Sequence, residues 1–223
     1  MPDRKFVAIG DIHGCIQTTQ ALIQKLEPWN DRTFIFTGDY IDRGPASRQI
    51  VDYLINYQKT HDCIMLRGNH EQMLLDAFNT NYTRLWLHNG GDTTLRSYNN
   101  NVTEIPFEHH HFYNETLLYY DTDDYFFVHG GLPPNVTIRE CLEKKELKEK
   151  FLWERSHLKT NKNKWEKTVV FGHTPGTDPV VKSNMIGIDT GCVYNHIPGM
   201  GKLTAVLLPE QKFIYQSCLD EVE

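Results

Sequence analysis

The stretch GDYIDRG at 38–44 decides how the rest of the chain is interpreted. It follows the apolar run TFIFT at 33–37 and precedes a segment with helical spacing at 46–59. A short apolar run that ends in Gly and Asp predicts a buried strand followed by a loop. The same order occurs on either side, where KFVAI precedes GDIHG at 10–14 and CIMLR precedes GNHE at 68–71. This alternation of strand, loop and helix predicts an α/β fold.

The second half of the chain returns to strands, predicted at 125–128, 168–171, 185–188, 203–208 and 212–216. Two further motifs, VHGG at 128–131 and GHT at 172–174, follow the first two of them. A charged helix is predicted at 139–150, and the triple histidine at 109–111 is predicted to lie in a solvated loop. Because we find no repeat or linker, we predict a single domain that spans 1–223.

The composition limits the classes of partner and compartment. The chain has 223 residues and a net charge of -6, and its Lys and Arg residues are scattered. No basic face is visible, which argues against a nucleic-acid partner, and no apolar run is long enough for a membrane span. The five cysteines lack Cys-x-x-Cys spacing, which favours reduced thiols and a cytoplasmic location. No obligate protein partner is evident.

The five motifs supply six potential metal ligands. The loops beyond the carboxyl ends of strands line the ligand crevice of an α/β sheet, so motifs far apart in the chain can converge there. Mixed oxygen and imidazole donors suit Mn, Fe or Zn. Six donors exceed one tetrahedral site and suit two metals that share a carboxylate. The oxygen donors are Asp11, Asp39 and Asn69, and the imidazoles are His13, His129 and His173.

The motifs at 10–14, 38–44, 68–71, 128–131 and 172–174 resemble the phosphoprotein phosphatase family of calcineurin-like metallophosphoesterases. The bacterial and phage serine/threonine protein phosphatases are the members most similar in size. The resemblance runs from about residue 7 to residue 208. It implies a calcineurin-like metallophosphoesterase fold, in which helices flank a central β-sandwich of two mixed sheets. It also implies two divalent metal ions, with Mn as the expected activator and Fe, Zn or Ni as alternatives.

The resemblance also implies a role for each matching residue. Asp11 and His13 would hold the first metal, and Asp39 would bridge both metals. The second site would be completed by Asn69, which also faces the phosphate, and by the later histidines His129 and His173. A metal-bridging hydroxide would attack phosphorus directly.

Four further residues would act on the substrate. His70 would donate a proton to the leaving group, and Asp42 would orient it. Arg43 would bind the phosphate. Arg155 is the candidate for a second phosphate-binding arginine, although an arginine at the end of a charged helix can also be a surface residue.

Three functions compete within this family. The first is hydrolysis of phosphoserine and phosphothreonine, so that the partner is a phosphoprotein or a small phosphorylated substrate. The alternative is symmetrical hydrolysis of a dinucleoside polyphosphate such as diadenosine tetraphosphate, and the third function is an inactive scaffold. The complete ligand set argues against the scaffold. Few cations flank the motifs, which favours a single phosphoryl group, whereas aromatic faces for two bases could come from Tyr40, Trp86, Trp153 and Tyr194.

Overall fold

The computed structural model describes residues 4–80 and 82–222. Its strands fall into two sheets. In chain order the strands are β1 (Phe6–Ile9), β2 (Thr33–Phe36), β3 (Cys63–Met65), β4 (Tyr119–Asp121), β5 (Tyr125–Val128), β6 (Thr168–Phe171), β7 (Val180–Lys182), β8 (Met185–Gly187), β9 (Asp189–Thr190), β10 (Lys202–Leu208) and β11 (Lys212–Ser217).

Both sheets are mixed. The first has the order β11-β10-β1-β2-β3, with β9 paired to β10. Its strands β1, β2 and β3 are parallel, whereas β10 is antiparallel to both β1 and β11. The second sheet has the order β4-β5-β6-β8-β7, in which β5, β6 and β8 are parallel and the two edge strands are antiparallel.

Helices cover the outer faces of the sheets, together with short 3-10 turns. They are α1 (Ile16–Leu26), α2 (Ser47–Tyr57), α3 (Asn69–Thr80), α4 (Arg84–Trp86), α5 (Asp92–Ser97), α6 (Phe107–Glu115), α7 (Ile138–Glu143) and α8 (Lys145–Lys148). Helix α4 continues through a single π turn, Leu87–Gly91, into α5. Helices α1 and α2 bury one face each, as their amphipathic sequences predict.

Alternation along the strands explains the layers. In β1, Phe6 and Ala8 point into the core between the two sheets, whereas Val7 and Ile9 point towards the helices. In β6, Val170 contributes to the core between the sheets and its neighbours to a third core on the far side. Because successive side chains face opposite ways, a strand buried on both faces is apolar throughout. The predicted β-sandwich of two mixed sheets flanked by helices is confirmed.

Three details differ from the sequence-based predictions. The predicted helix at 139–150 is divided, because Lys144 has an extended backbone between α7 and α8. The triple histidine at 109–111 lies in helix α6 and not in a loop; His109 is buried and bonds to Tyr98 and Asp52. The short edge strands β4 and β7 were not predicted. Among the described residues, no helix combines the length and apolarity needed to cross a membrane.

Candidate active site

The loops that carry the five motifs follow β1, β2, β3, β5 and β6. Two contacts join the loops of the two sheets at this edge. Nδ1 of His129 lies 2.8 Å from the carbonyl oxygen of Thr37, and the backbone N–H of His173 donates to the carboxylate of Asp11 at 2.9 Å. The two sheets therefore present their motifs to one shared crevice, as the sequence predicted.

Glu71 fixes the loop that follows β2. Its buried carboxylate accepts hydrogen bonds from the backbone N–H groups of Gly68, Asp39 and Tyr40, at 2.9, 2.9 and 2.8 Å. These bonds join the second motif to the third. The sequence analysis gave Glu71 no role, although a buried carboxylate four residues from the end of a strand is a natural acceptor for loop N–H groups.

The backbone is strained where the functional side chains are held. Five of these residues have positive φ angles between 48° and 73°, a region that non-glycine residues seldom occupy. Such strain persists only where surrounding contacts enforce it, and it concentrates at functional sites. The five residues are His13, Asp39, Asp42, Arg43 and His173.

Asp39 lies at the centre of the cluster. Its Oδ2 atom is 3.3 Å from Nε2 of His129, 3.7 Å from Nε2 of His13 and 3.9 Å from Nε2 of His70. Its Oδ1 atom accepts a hydrogen bond from the backbone N–H of His70 at 3.1 Å. One carboxylate thus faces three imidazoles, which is the position that a bridging ligand requires.

Two histidines are oriented by backbone carbonyl groups. Nδ1 of His13 lies 2.9 Å from the carbonyl oxygen of Ile41, just as Nδ1 of His129 faces that of Thr37. A carbonyl oxygen only accepts, so each Nδ1 is the donor and Nε2 is left to face the cluster. Metal-binding histidines are commonly oriented in this way. Neither carbonyl partner was predicted, since backbone groups leave no signal in the sequence.

Asn69 and His173 complete the opposite side. The Oδ1 atom of Asn69 is 2.9 Å from Nε2 of His129 and 2.9 Å from Nδ1 of His173. Donor atoms of Asp39, His129 and His173 lie within 4.8 Å of one another, and so do those of His13, Asp39 and His70. Asp11 belongs to neither of these two sets; its carboxylate is buried against the backbone of His173.

The electrostatics of the cluster are those of a buried, charged site. Burial lowers the pKa of His173 to about 2, and burial together with Arg43 lowers that of His13 well below its ordinary value. Burial alone would raise the pKa of Asp39, but the surrounding imidazoles hold it well below its usual range. Burial and the nearby Asp189 raise the pKa of Asp11. The site therefore concentrates uncompensated carboxylates and neutral imidazoles, which a cation would stabilise.

His70 and Asp42 form a dyad beside the cluster. Nδ1 of His70 lies 2.6 Å from Oδ2 of Asp42, and both side chains are buried. The opposite ring nitrogen, Nε2, is buried and has no hydrogen-bond partner among the described residues. Asp42 accepts further bonds from Trp86 Nε1, 3.0 Å from both oxygens, and from the Thr94 hydroxyl at 2.6 Å. The dyad is therefore rigid on its Asp42 side and open on its Nε2 side.

Two arginines reach the cluster from opposite sides. Nη1 of Arg43 donates to Nε2 of His13 at 2.8 Å, and Nε of Arg155 donates to Nε2 of His173 at 3.0 Å. Arg155 is largely exposed, yet its guanidinium still faces the site. Arg67, in contrast, bonds to Gln72, Thr116 and nearby carbonyl groups, so it stabilises the fold away from the cluster.

The segment NGG at 89–91 has a positioning role that the sequence analysis missed. The carbonyl oxygen of Gly90 accepts a hydrogen bond from the backbone N–H of Arg43 at 3.1 Å. A Cβ atom on Gly91 would come within 2.5 Å of the Trp86 indole, so this position requires glycine. The π turn therefore holds both Arg43 and the indole that donates to Asp42.

Of the four aromatic residues considered for base stacking, two are excluded. Tyr40 is fully buried and its hydroxyl donates to the Leu66 carbonyl oxygen at 2.6 Å. Trp86 is buried behind Asp42. Trp153 is exposed beside His173, and Tyr194 lies 5.7 Å from the Arg43 guanidinium, so both remain accessible from the crevice.

The donor set fits divalent metal ions. Imidazole nitrogens, carboxylate oxygens and an amide oxygen converge on one buried volume, and the unpartnered Nε2 of His70 faces it. Mixed nitrogen and oxygen donors of this kind suit divalent transition metals. The residues that could hold them are Asp11, His13, Asp39, Asn69, His129 and His173.

Fold and site together define the class of metal-dependent phosphoesterases. A family model described as calcineurin-like phosphoesterase matches residues 4–198, and the chain belongs to this family. The predicted family is thereby confirmed, and the protein is a metallophosphoesterase.

Relatives of the chain carry both of the names that the sequence analysis considered. The chain is 28% identical to the asymmetrical bis(5'-nucleosyl)-tetraphosphatase PrpE of Oceanobacillus iheyensis, covering 94% of this chain and 91% of that protein. It is 30% identical to serine/threonine-protein phosphatase 2 of Escherichia coli, covering 90% and 91%.

Solved structures agree on the fold. A candidate diadenosine tetraphosphatase superposes with a TM-score of 0.70 and 20% identity, covering 99% of this chain and 97% of that one. A cold-active protein-tyrosine phosphatase from Shewanella superposes with a TM-score of 0.66 and 18% identity, covering 96% and 80%.

Proposed function

We propose that this enzyme hydrolyses phosphomonoesters of serine and threonine, in phosphoproteins or small phosphorylated molecules. The observation that carries this proposal is the dyad of His70 and Asp42, whose free Nε2 faces the donor cluster. An alkoxide is a poor leaving group, so its departure benefits from a positioned acid. A phosphate group that leaves from a polyphosphate needs such an acid far less.

In this proposal Asp11, His13 and Asp39 hold one divalent ion, and Asp39 also contacts the second. Asn69, His129 and His173 complete the second site, and Asn69 also faces the phosphate. Asp39 is supported as the shared ligand by its distances to three imidazoles. We further propose Mn as the activating metal and the cytoplasm, where five free thiols stay reduced, as the location.

When bound, the two ions would supply an activated water molecule and neutralise phosphate oxygens. The chain's own residues do the rest. Arg43 and Arg155 bind the equatorial oxygens of the phosphoryl group from opposite sides, since a planar guanidinium matches two such oxygens. The bonds that they now make to His13 and His173 place both guanidiniums at the cluster.

His70 then donates the proton on Nε2 to the departing serine or threonine oxygen. Asp42 accepts from Nδ1 and stabilises the protonated imidazole, which keeps the proton on Nε2 available. Trp86 and Thr94 act one step further away, because their bonds fix the Asp42 carboxylate. After transfer, the neutral imidazole regains its proton from solvent.

A second candidate is hydrolysis of a dinucleoside tetraphosphate. A cavity of about 390 Å³ adjoins Arg43 and is lined by residues that include Tyr194 and His196. Its aromatic ring and cation could receive a nucleoside and its phosphates. The names of several relatives, both asymmetrical and symmetrical tetraphosphatases, also support this candidate.

The test is kcat/KM for a phosphothreonine peptide and for diadenosine tetraphosphate, measured with one metal at one pH. We expect the phosphopeptide to be preferred. A preference for the dinucleotide greater than about tenfold, equal to about 1.4 kcal/mol of transition-state binding, would replace the first proposal by the second. Tyr194→Ala is the companion variant, because it should reduce the rate on the dinucleotide alone if the cavity binds a nucleoside.

A further inference from the structure

Three cysteine thiols meet outside the site described above. The Sγ atoms of Cys15, Cys192 and Cys218 all lie within 4.8 Å of one another, and none of the three is in a disulfide. Cys15 and Cys192 are buried, and Cys218 is half-buried. The three residues come from opposite ends of the chain, so only the tertiary fold brings them together. The sequence analysis found no metal-binding spacing among the cysteines, because these intervals are far longer than those of a local motif.

The fold holds Cys218 in place without any bond between the sulfur atoms. Two residues further on, the buried carboxylate of Asp220 accepts the backbone N–H groups of Gln17 and Thr18, both at 3.0 Å, and the Thr18 hydroxyl at 2.6 Å. The Cys218 N–H itself donates to the Gly201 carbonyl oxygen at 2.8 Å. The end of the chain is thereby anchored to the start of helix α1.

The other two thiols are equally fixed. Cys15 immediately precedes α1, and its N–H donates to the Ile12 carbonyl oxygen at 3.2 Å. Cys192 follows Gly191, whose N–H donates to the carboxylate of Asp189 at 2.9 Å. Three thiols are thus brought together by contacts that do not involve the sulfurs, which is the preorganisation that a metal site needs.

Sulfur donors and short separations define the ligand class. Sulfurs that share one zinc ion at about 2.3 Å each lie about 3.8 Å apart, within the limit that this cluster meets. Thiolates prefer soft ions such as Zn(II) and Cu(I), whereas the site at Asp39 offers nitrogen and oxygen donors. The two clusters therefore differ in the metals that they select.

We infer that Cys15, Cys192 and Cys218 form a separate site for one thiophilic closed-shell cation of the zinc and cuprous class. Three thiolates complete the shell of a three-coordinate ion, and zinc takes a fourth donor from solvent on the half-exposed side of Cys218. A bound ion would cross-link the C-terminal segment to the loop that carries the first motif. Its role is structural, since the cluster lies behind that loop and outside the donor set of the active site.

Cadmium is the probe of choice, because a cadmium–thiolate bond absorbs in the ultraviolet and a bond to imidazole or carboxylate does not give that band. The purified, reduced full-length chain is titrated with Cd(II) under anaerobic conditions. We expect a charge-transfer band that saturates at one ion per chain. Zn(II) should remove the band by competition, and binding should raise the melting temperature.

The variants make the assignment specific. Cys218→Ser changes the half-buried member, which makes it the variant with the least effect on folding, and it should lose the band. Cys63→Ser, which removes a half-buried thiol outside the cluster, should keep it. Asp39→Asn should also keep it, since that change affects the other donor set. The inference is overturned by an absent band in the wild type, by a band that survives in Cys218→Ser, or by a disulfide within the cluster of the anaerobically purified protein.

Discussion

Nδ1 of His70 lies 2.6 Å from Oδ2 of Asp42, in a pocket where neither side chain reaches solvent. This contact fixes the direction in which the imidazole presents its other nitrogen. Because Nε2 has no partner among residues 4–80 and 82–222, the ring is available to a substrate atom. The proposed acid catalysis depends on this one orientation.

Replacing His70 by Asn should reveal its role through the leaving group. We expect His70→Asn to lower kcat on an alkyl phosphate by about 10²–10⁴-fold, the usual contribution of a positioned acid. The loss on p-nitrophenyl phosphate should be much smaller, because nitrophenolate leaves without protonation. Steady-state kinetics on both esters, with metal content measured on the same samples, gives the comparison. Equal losses on both esters, or a loss of metal, would contradict the assignment.

Trp86 should act through Asp42. Trp86→Phe keeps the ring but removes the N–H that lies 3.0 Å from the carboxylate. We expect kcat on an alkyl phosphate to fall about tenfold, corresponding to about 1.4 kcal/mol, with little change on p-nitrophenyl phosphate. Trp165→Phe is the matched control, since it removes a buried indole donor that bonds to the Pro133 carbonyl oxygen instead. If both variants show the same dependence on the leaving group, Trp86 has no specific link to the dyad.

Glu71 should matter for stability. Glu71→Gln replaces one of two acceptor oxygens by an NH₂ group that would face backbone donors. We expect a loss of about 1–3 kcal/mol in the free energy of unfolding, the cost of a buried polar group without a partner. Urea denaturation followed by circular dichroism measures it. Glu166→Gln, where one oxygen accepts a single bond from Ile138, should cost clearly less; equal losses would show that the clamp is not special.

His157 should make the fold sensitive to acid. Its ring is buried beside Phe171 and Trp165, and burial lowers its pKa from 6.5 to about 4. Between these values the unfolded chain binds a proton that the folded chain does not, so stability falls as the pH decreases from about 6.5 to about 4. His157→Leu should weaken that decrease, whereas exposed His196→Leu should not. Urea denaturation at several pH values checks this, and parallel pH profiles for wild type and His157→Leu would contradict it.

The part of the site that the sequence predicts is the part encoded in short motifs. The loops with Asp11, Asp39 and His70 follow parallel strands, and parallel strands deliver their carboxyl ends to one edge. Strand periodicity and motif position were therefore sufficient to predict that these residues converge. Their roles as metal ligands and acid stay predictions until tested.

The contacts that support these residues were not predictable. Trp86 and Thr94 bond to Asp42 across 44 and 52 residues of chain, and neither lies in a recognisable motif. The carbonyl groups that orient His13 and His129 belong to the backbone and leave no mark in composition. Long-range contacts of this kind depend on how helices pack on the sheet, which local patterns do not determine.

The measurement that tests the central claim most directly combines elemental analysis with the activity of chelated protein. We predict that the active enzyme contains two divalent ions per chain in the Asp39 cluster, that chelation abolishes hydrolysis, and that Mn restores it. Asp39→Asn should be the most damaging of the ligand changes, because Asp39 faces both donor sets. Full activity of a chelated sample that elemental analysis finds free of metal would contradict the account.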